Sequence, residues 1–221
     1  MPSRVARSRW AGVAPEDRRA ERRSLLVDAA FDLLGTEGWT GTTVRAVCAT
    51  AQLNPRYFYE SFDDLDELVV AVYDRVVDEL REEVTGAMTA ARPTPRAQAR
   101  AAVESIVRFV DDDRRRARIL YVEALGNEAL NRRRIETGHA LVEVVEQDAA
   151  ARHGALPRGE HIGRVGAAIL VGGFSELLVA WLDGRIEVTR DQLVDDATTL
   201  FLALGDAAGR IAARRNSTNS A

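Results

Sequence analysis

Apolar residues recur at three- and four-residue spacing along almost the whole chain, and no segment sustains the alternation that a half-buried strand needs. That periodicity points to an all-α fold. In residues 16–36, Ala20, Leu25, Leu26, Ala29, Ala30, Leu33 and Leu34 share one face behind an acidic start at Glu16 and Asp17, and Gly38 supplies a stop. Thr42 or Thr43 caps a second helix through Ala51, with Val44, Val47, Cys48 and Ala51 inward. Asn54 then Pro55 opens a short third helix ending near Ser61: an N-cap side chain, followed by proline where no amide donor is needed. Asp64 with Glu67 resembles a capping box for a long fourth helix to about Gly86, apolar at Leu68, Val69, Val72, Tyr73, Val76, Leu80 and Val84. After a Pro-containing connection, Ala91 to Pro95, helical stretches are expected over 96–112, 114–125, 127–152, 160–183 and 189–213. The polar tail 216–221 is expected to be disordered.

The 221 residues, 46% of them hydrophobic, suffice for a sizeable core. A formal charge of −4 rules out a global basic excess, so an anionic partner must be met locally. Residues 1–62 hold nine arginines against seven acids, and residues 1–23 alone hold seven against three, whereas the remainder is net acidic. All 30 basic residues are arginine, so arginine abundance alone does not signify phosphate binding; its concentration near the N-terminus is more informative, and reads either as the place where an anionic partner is met or as a solvated, disordered arm. One cysteine excludes an intramolecular disulfide and fits a reducing compartment. Met1 to Trp10 lacks the apolar core of a signal peptide, and the longest apolar stretch, Ala167 to Phe174, is far shorter than a membrane span. A soluble cytoplasmic protein without a membrane partner is expected. Three scattered histidines make no metal constellation, and no nucleophile elbow, phosphate loop or HExxH is present. Neither enzyme activity nor a cofactor is expected.

The segment Thr43 to Phe62 reads as helix, tight turn, helix, the geometry that places a second helix in the DNA major groove. Its outward face shows Arg56, Tyr57 and Glu60, while Phe58 and Phe62 point inward. Arginine can donate two hydrogen bonds to guanine, and the hydroxyls of Thr43, Tyr57 and Tyr59 can donate to phosphates. A helical hairpin that happens to carry aromatics is the alternative.

Residues 18–80 resemble the DNA-binding half of the TetR family of transcriptional regulators. The likeness lies in Ala29-Ala30-Phe31-Asp32-Leu33-Leu34, Glu37-Gly38-Trp39, Thr42-Thr43-Val44-Arg45, Leu53-Asn54-Pro55, Tyr57-Phe58-Tyr59, Phe62 and Asp66-Glu67-Leu68. The resemblance implies an all-α homodimer, an N-terminal helix-turn-helix, and a larger C-terminal helical domain that binds a small molecule and carries the dimer interface. It maps DNA contacts onto Thr43, Arg45, Asn54, Pro55, Arg56, Tyr57 and Tyr59. The implied division is an arm over 1–15, a DNA-binding domain over 16–62, a connecting helix 64–86 within a ligand-binding and dimerisation domain over 63–215, and a tail over 216–221. Two departures stand out. Gln52 occupies a turn position usually held by glycine, and Leu65 stands where the family commonly places a phosphate-gripping lysine.

The apolar segment 160–183 and the last helix, with Leu193, Ala197, Leu200, Leu204 and Ile211 along one side, need contacts on two sides. Their own domain supplies one; a second subunit or a monomer interior supplies the other. A ligand chamber would draw on Tyr73, Phe109, Leu120, Tyr121, Leu125, Phe174, Leu178 and Trp181, and would favour an apolar or aromatic effector. His139 and Glu143 share a face, either toward a polar ligand group or as a surface pair. The reading is a repressor that leaves a near-palindromic DNA operator when a small effector binds. A helical small-molecule binder that no longer binds DNA specifically is the alternative. If the arginine-rich arm, Arg4 to Arg23, offsets the missing lysine, deleting residues 1–15 will weaken operator binding and flatten its salt dependence. Unchanged binding contradicts that role.

Overall fold

The computed structural model describes residues 15–153 and 161–219, and every regular element among them is helical. The expected arm, up to residue 14, and residues 154–160 and 220–221 lie outside that range. In chain order the helices are α1 (Pro15–Thr36), a single turn Gly38–Gly41, α2 (Val44–Thr50), α3 (Pro55–Tyr59), α4 (Leu65–Ala90) and α5 (Pro95–Asp112). Then come α6 (Arg114–Ala117), α7 (Glu128–His153), α8 (Ile162–Leu182) and α9 (Arg190–Asn219).

Helix α1 buries Leu26, Val27, Ala29, Ala30 and Leu34, whereas Ala20, expected on that face, is exposed. Helix α4 runs past Gly86 to Ala90, because Gly86 keeps helical backbone and does not take the left-handed conformation that ends a helix. Its first half packs on α1 and its length lies along α5, so it belongs to both halves of the molecule. One hydrophobic core runs from Leu26 on α1 through Val69 and Val76 on α4 to Leu178 on α8 and Ala197 on α9. Helices α7, α8 and α9 pack in sequence, with the Phe174 and Phe201 rings edge to face at 5.1 Å. The last helix continues through Asn219, beyond the expected start of the polar tail.

The stretch 114–125, expected to be one helix, is broken into three pieces. After α6 the chain opens into a π-helical turn, Arg118–Val122, then tightens into a 3-10 turn, Glu123–Leu125. The i→i+5 bonding of a π-turn brings residues five apart toward one side, and here those residues are Arg118 and Glu123. The Arg118 Nε donates to Glu123 Oε1 at 2.7 Å, and the Trp39 amide donates to Glu123 Oε2 at 2.7 Å. Arg118 also donates through Nη1 to the Thr36 carbonyl at 2.6 Å, at the negative end of α1. The pair sits against Gly38, whose φ is +76°; a Cβ there would lie 2.6 Å from Arg118 Nη2 and 2.9 Å from Glu123 Oε1.

Arg115 adds to the same seam. Its Nη1 donates to Asp32 at 2.7 Å, its guanidinium lies 4.8 Å from the Phe31 ring centre, and its aliphatic stem occupies the space a side chain at Gly35 would need. Nε and Nη2 of Arg115 hold the Asp113 carboxylate, which also accepts from the Arg115 amide and keeps Asp113 below the usual carboxylate range. A little further on, Asn127 caps α7 by accepting from the Leu130 amide and donates to Asp66 on α4 at 2.8 Å.

Gly38→Ala must abandon either the left-handed conformation or the Arg118–Glu123 pair, and should cost about 1–3 kcal/mol, read as a lowered urea midpoint. Because the Asp113 pKa is depressed in the folded state, its contribution is present above the unfolded carboxylate value and is lost as pH falls through the folded one. Asp113→Asn, which keeps an oxygen for the helix cap, should therefore lower stability at neutral pH and flatten the decline below about pH 4.

Candidate nucleic-acid interface

Helices α2 and α3 are short, and their ends are fixed by side chains. The Thr43 hydroxyl accepts from the Ala46 amide at 3.1 Å and Asn54 Oδ1 accepts from the Arg56 amide at 2.9 Å, with Pro55 as the first residue of α3. Between them, the Leu53 amide donates to the Cys48 carbonyl and the Gln52 amide to the Ala49 carbonyl. This is the paired bonding of a left-handed helix terminus, in which the residue at Gln52 ordinarily is glycine. Gln52 adopts φ 54° there, so the glutamine bears the strain expected from the sequence. Phe58 and Phe62 are fully buried beneath α3, and Val47 and Cys48 beneath α2. Each large apolar side chain buried here is worth about 1.5–3 kcal/mol. Burial pushes the Cys48 thiol up, so it remains a protonated core residue.

With those side chains inward, the opposite face is polar and open. Thr43, Arg45, Asn54, Pro55, Arg56 and Tyr59 are exposed, Tyr59 by 64% and the Arg56 side chain by 82%. Thr43 and Asn54 spend one oxygen each on helix caps. Tyr57 is less free, at 36% exposure, because the Arg22 guanidinium of α1 lies 4.6 Å from its ring centre. Arg22 also reaches Glu60, which in turn holds Arg56. Arg22, 38 residues from Glu60, carries no sequence signal that would place it beside α3. The face offers a guanidinium for base edges and hydroxyls for phosphates.

Leu65 is half-buried against the core, so an apolar contact occupies the place where the family commonly has a charged one. The neighbouring acids serve α4. Asp64 caps it by accepting from the Glu67 amide, and Asp66 accepts from Asn127. Glu67 accepts from the Asp63 amide, one residue ahead of the position a capping box uses.

The expected ligand-lining residues are divided. Tyr73, Phe109, Leu120, Phe174 and Leu178 are buried inside the helical bundle. Leu125 is 68% exposed, because the 3-10 turn carries it outward, and is not part of that interior. Trp181 is half-buried and donates through Nε1 to the Val188 carbonyl, closing the α8–α9 loop. Burial pushes the Tyr73 and Tyr121 phenols up, so both stay protonated. His139 and Glu143 are both exposed, on the surface of α7. Among the described residues no cluster of three or more His, Cys, Asp or Glu side chains is placed to hold a metal.

A capped, three-helix helix-turn-helix unit on a larger helical body is the architecture of a DNA-binding regulator. Residues 26–72 match the family of bacterial regulatory proteins named tetR, which places this N-terminal domain in the TetR family. Over 75 residues the chain is 33% identical to the HTH-type transcriptional regulator BetI of Rhizobium meliloti (strain 1021). That match covers 34% of this chain and only 36% of the relative's length. The fold extends further. A TetR-like transcriptional regulator from Rhodococcus sp. RHA1 superposes with a TM-score of 0.61 at 24% identity, over 83% of this chain and 93% of that one. The regulator FadR from Bacillus subtilis, solved with stearoyl-CoA, gives 0.66 at 12% identity, over 80% and 96%.

Gln52→Gly should stabilise the domain by roughly 0.5–1 kcal/mol, since relief of left-handed strain outweighs the added freedom of the unfolded chain. A thermal melt reads the sign; a loss of stability would contradict the strained turn.

Proposed function

We propose that the chain is a ligand-responsive repressor that binds a near-palindromic operator as a homodimer and is released by an apolar or aromatic small molecule. The observation that carries the reading is the buried pair Phe58 and Phe62 beneath α3, which leaves Arg56 and Tyr59 on an open face. Two copies of α3, set about 34–36 Å apart, would enter successive major grooves.

Dimerisation is supported by α8 and α9, which leave Val165, Ile169, Leu200 and Ile211 exposed, each by 38% or more. Gly172 and Gly173 have open space where a side chain would stand, room for a close second backbone. Helix α8 is long and apolar enough by composition to cross a bilayer, but its Ala167, Phe174 and Leu178 turn into the bundle, and a second chain would cover the rest. An apolar effector is supported by the buried apolar residues among α4, α5 and α8. The likeness in fold to a regulator solved with stearoyl-CoA, a ligand with a long apolar chain, points the same way. Such a ligand acts only through different affinities for the DNA-competent and incompetent arrangements. The seam at Arg115, Arg118 and Glu123 joins the helical body to α1 by hydrogen bonds and ion pairs. A cytoplasmic location follows from a DNA partner.

Selection of genomic fragments by the purified protein tests this. The wild type should enrich a palindrome that the Arg56→Ala, Tyr57→Ala double variant loses. A folded wild-type dimer enriching nothing at low salt would favour a helical binder without DNA specificity.

A further inference from the structure

The structure assigns Glu60 a positioning role in base recognition: it holds Arg56 in the orientation that reads the DNA. This rests on the DNA-binding reading above. Arg56 donates through Nε to Glu60 Oε1 at 2.9 Å, one helical turn away. With Nε engaged, the guanidinium can present only its two terminal nitrogens, the end-on fork that matches O6 and N7 of guanine. An exposed pair at this spacing is ordinarily too weak to order an arginine.

Here the carboxylate is held from the other side. Glu60 Oε2 lies 3.5 Å from Nη2 of Arg22, whose side chain is only 15% exposed and stacks 4.6 Å from the Tyr57 ring. Both carboxylate oxygens are thereby engaged, one toward the core-anchored α1 and one toward Arg56. A five-residue helix has few internal restraints of its own. The Arg22–Glu60–Arg56 chain gives the recognition surface a support from outside the helix. Glu60 also puts a negative charge on the face proposed to meet DNA, so it should lower affinity for any duplex.

The test is sequence selection by the full-length wild type, Glu60→Ala, Glu60→Gln and Arg56→Ala, with affinity for a random duplex measured alongside. Arg56→Ala locates the base pair that Arg56 reads. Glu60→Ala should lower the preference at that pair about tenfold, with random-duplex affinity unchanged or higher. Glu60→Gln keeps an oxygen acceptor and should retain part of the preference, with random-duplex affinity again unchanged or higher. A purely structural role would instead lower both affinities together with the melting temperature, and overturns the assignment. An unaltered preference in Glu60→Ala also overturns it. A wild type that selects no sequence removes the DNA-binding reading, and this role with it.

Discussion

The contact on which the rest of the arrangement depends is the seating of Arg118 and Glu123 against Gly38. Three conditions meet there. The glycine supplies a left-handed backbone and an empty flank, the π-turn brings the arginine and glutamate to one side, and the end of α1 offers a carbonyl and the Trp39 amide as partners. Lose any one and the seam is left to the Arg115 contacts with Asp32 and Phe31. The seam and the long α4 are the two links between the helix-turn-helix and the helical body, and both end on α1. Helix α1 is thus in contact with α4 and α6, and it is also the helix from which Arg22 reaches Glu60.

The same economy governs the helix-turn-helix. Helices of seven and five residues are too short to be stable by propensity. They stand because Thr43 and Asn54 satisfy their first amides, Gln52 accepts a costly backbone angle, and Phe58 and Phe62 anchor α3 from below. What remains outside is what a DNA reader needs: arginine and hydroxyl groups free of the core. The acidic run after α3, which looks hostile to DNA, is the cap of α4 and the acceptor for Asn127.

Much of this could be read in the chain because it is local. The caps at Thr43, Asn54 and Asp64, the left-handed turn at Gln52 and the inward Phe58 and Phe62 each depend on residues within a few positions. The exposed apolar residues of α8 and α9 were also visible as faces too wide for one partner. What could not be read depends on tertiary distance. The break of 114–125 into π and 3-10 turns answers to Gly38, some 80 residues earlier, and to no local breaker. Leu125 looked like lining by periodicity, and the altered turn geometry carries it outward. Arg22 finds its role only on packing, where no spacing rule reaches.

The central claim, that two chains present paired α3 helices to one duplex, is tested most directly by titrating protein into an operator-length duplex across a range of salt. The account predicts two chains bound per duplex and a log affinity that falls linearly with log salt, with a slope of several released counterions. One chain per duplex, or an affinity indifferent to salt, would contradict it.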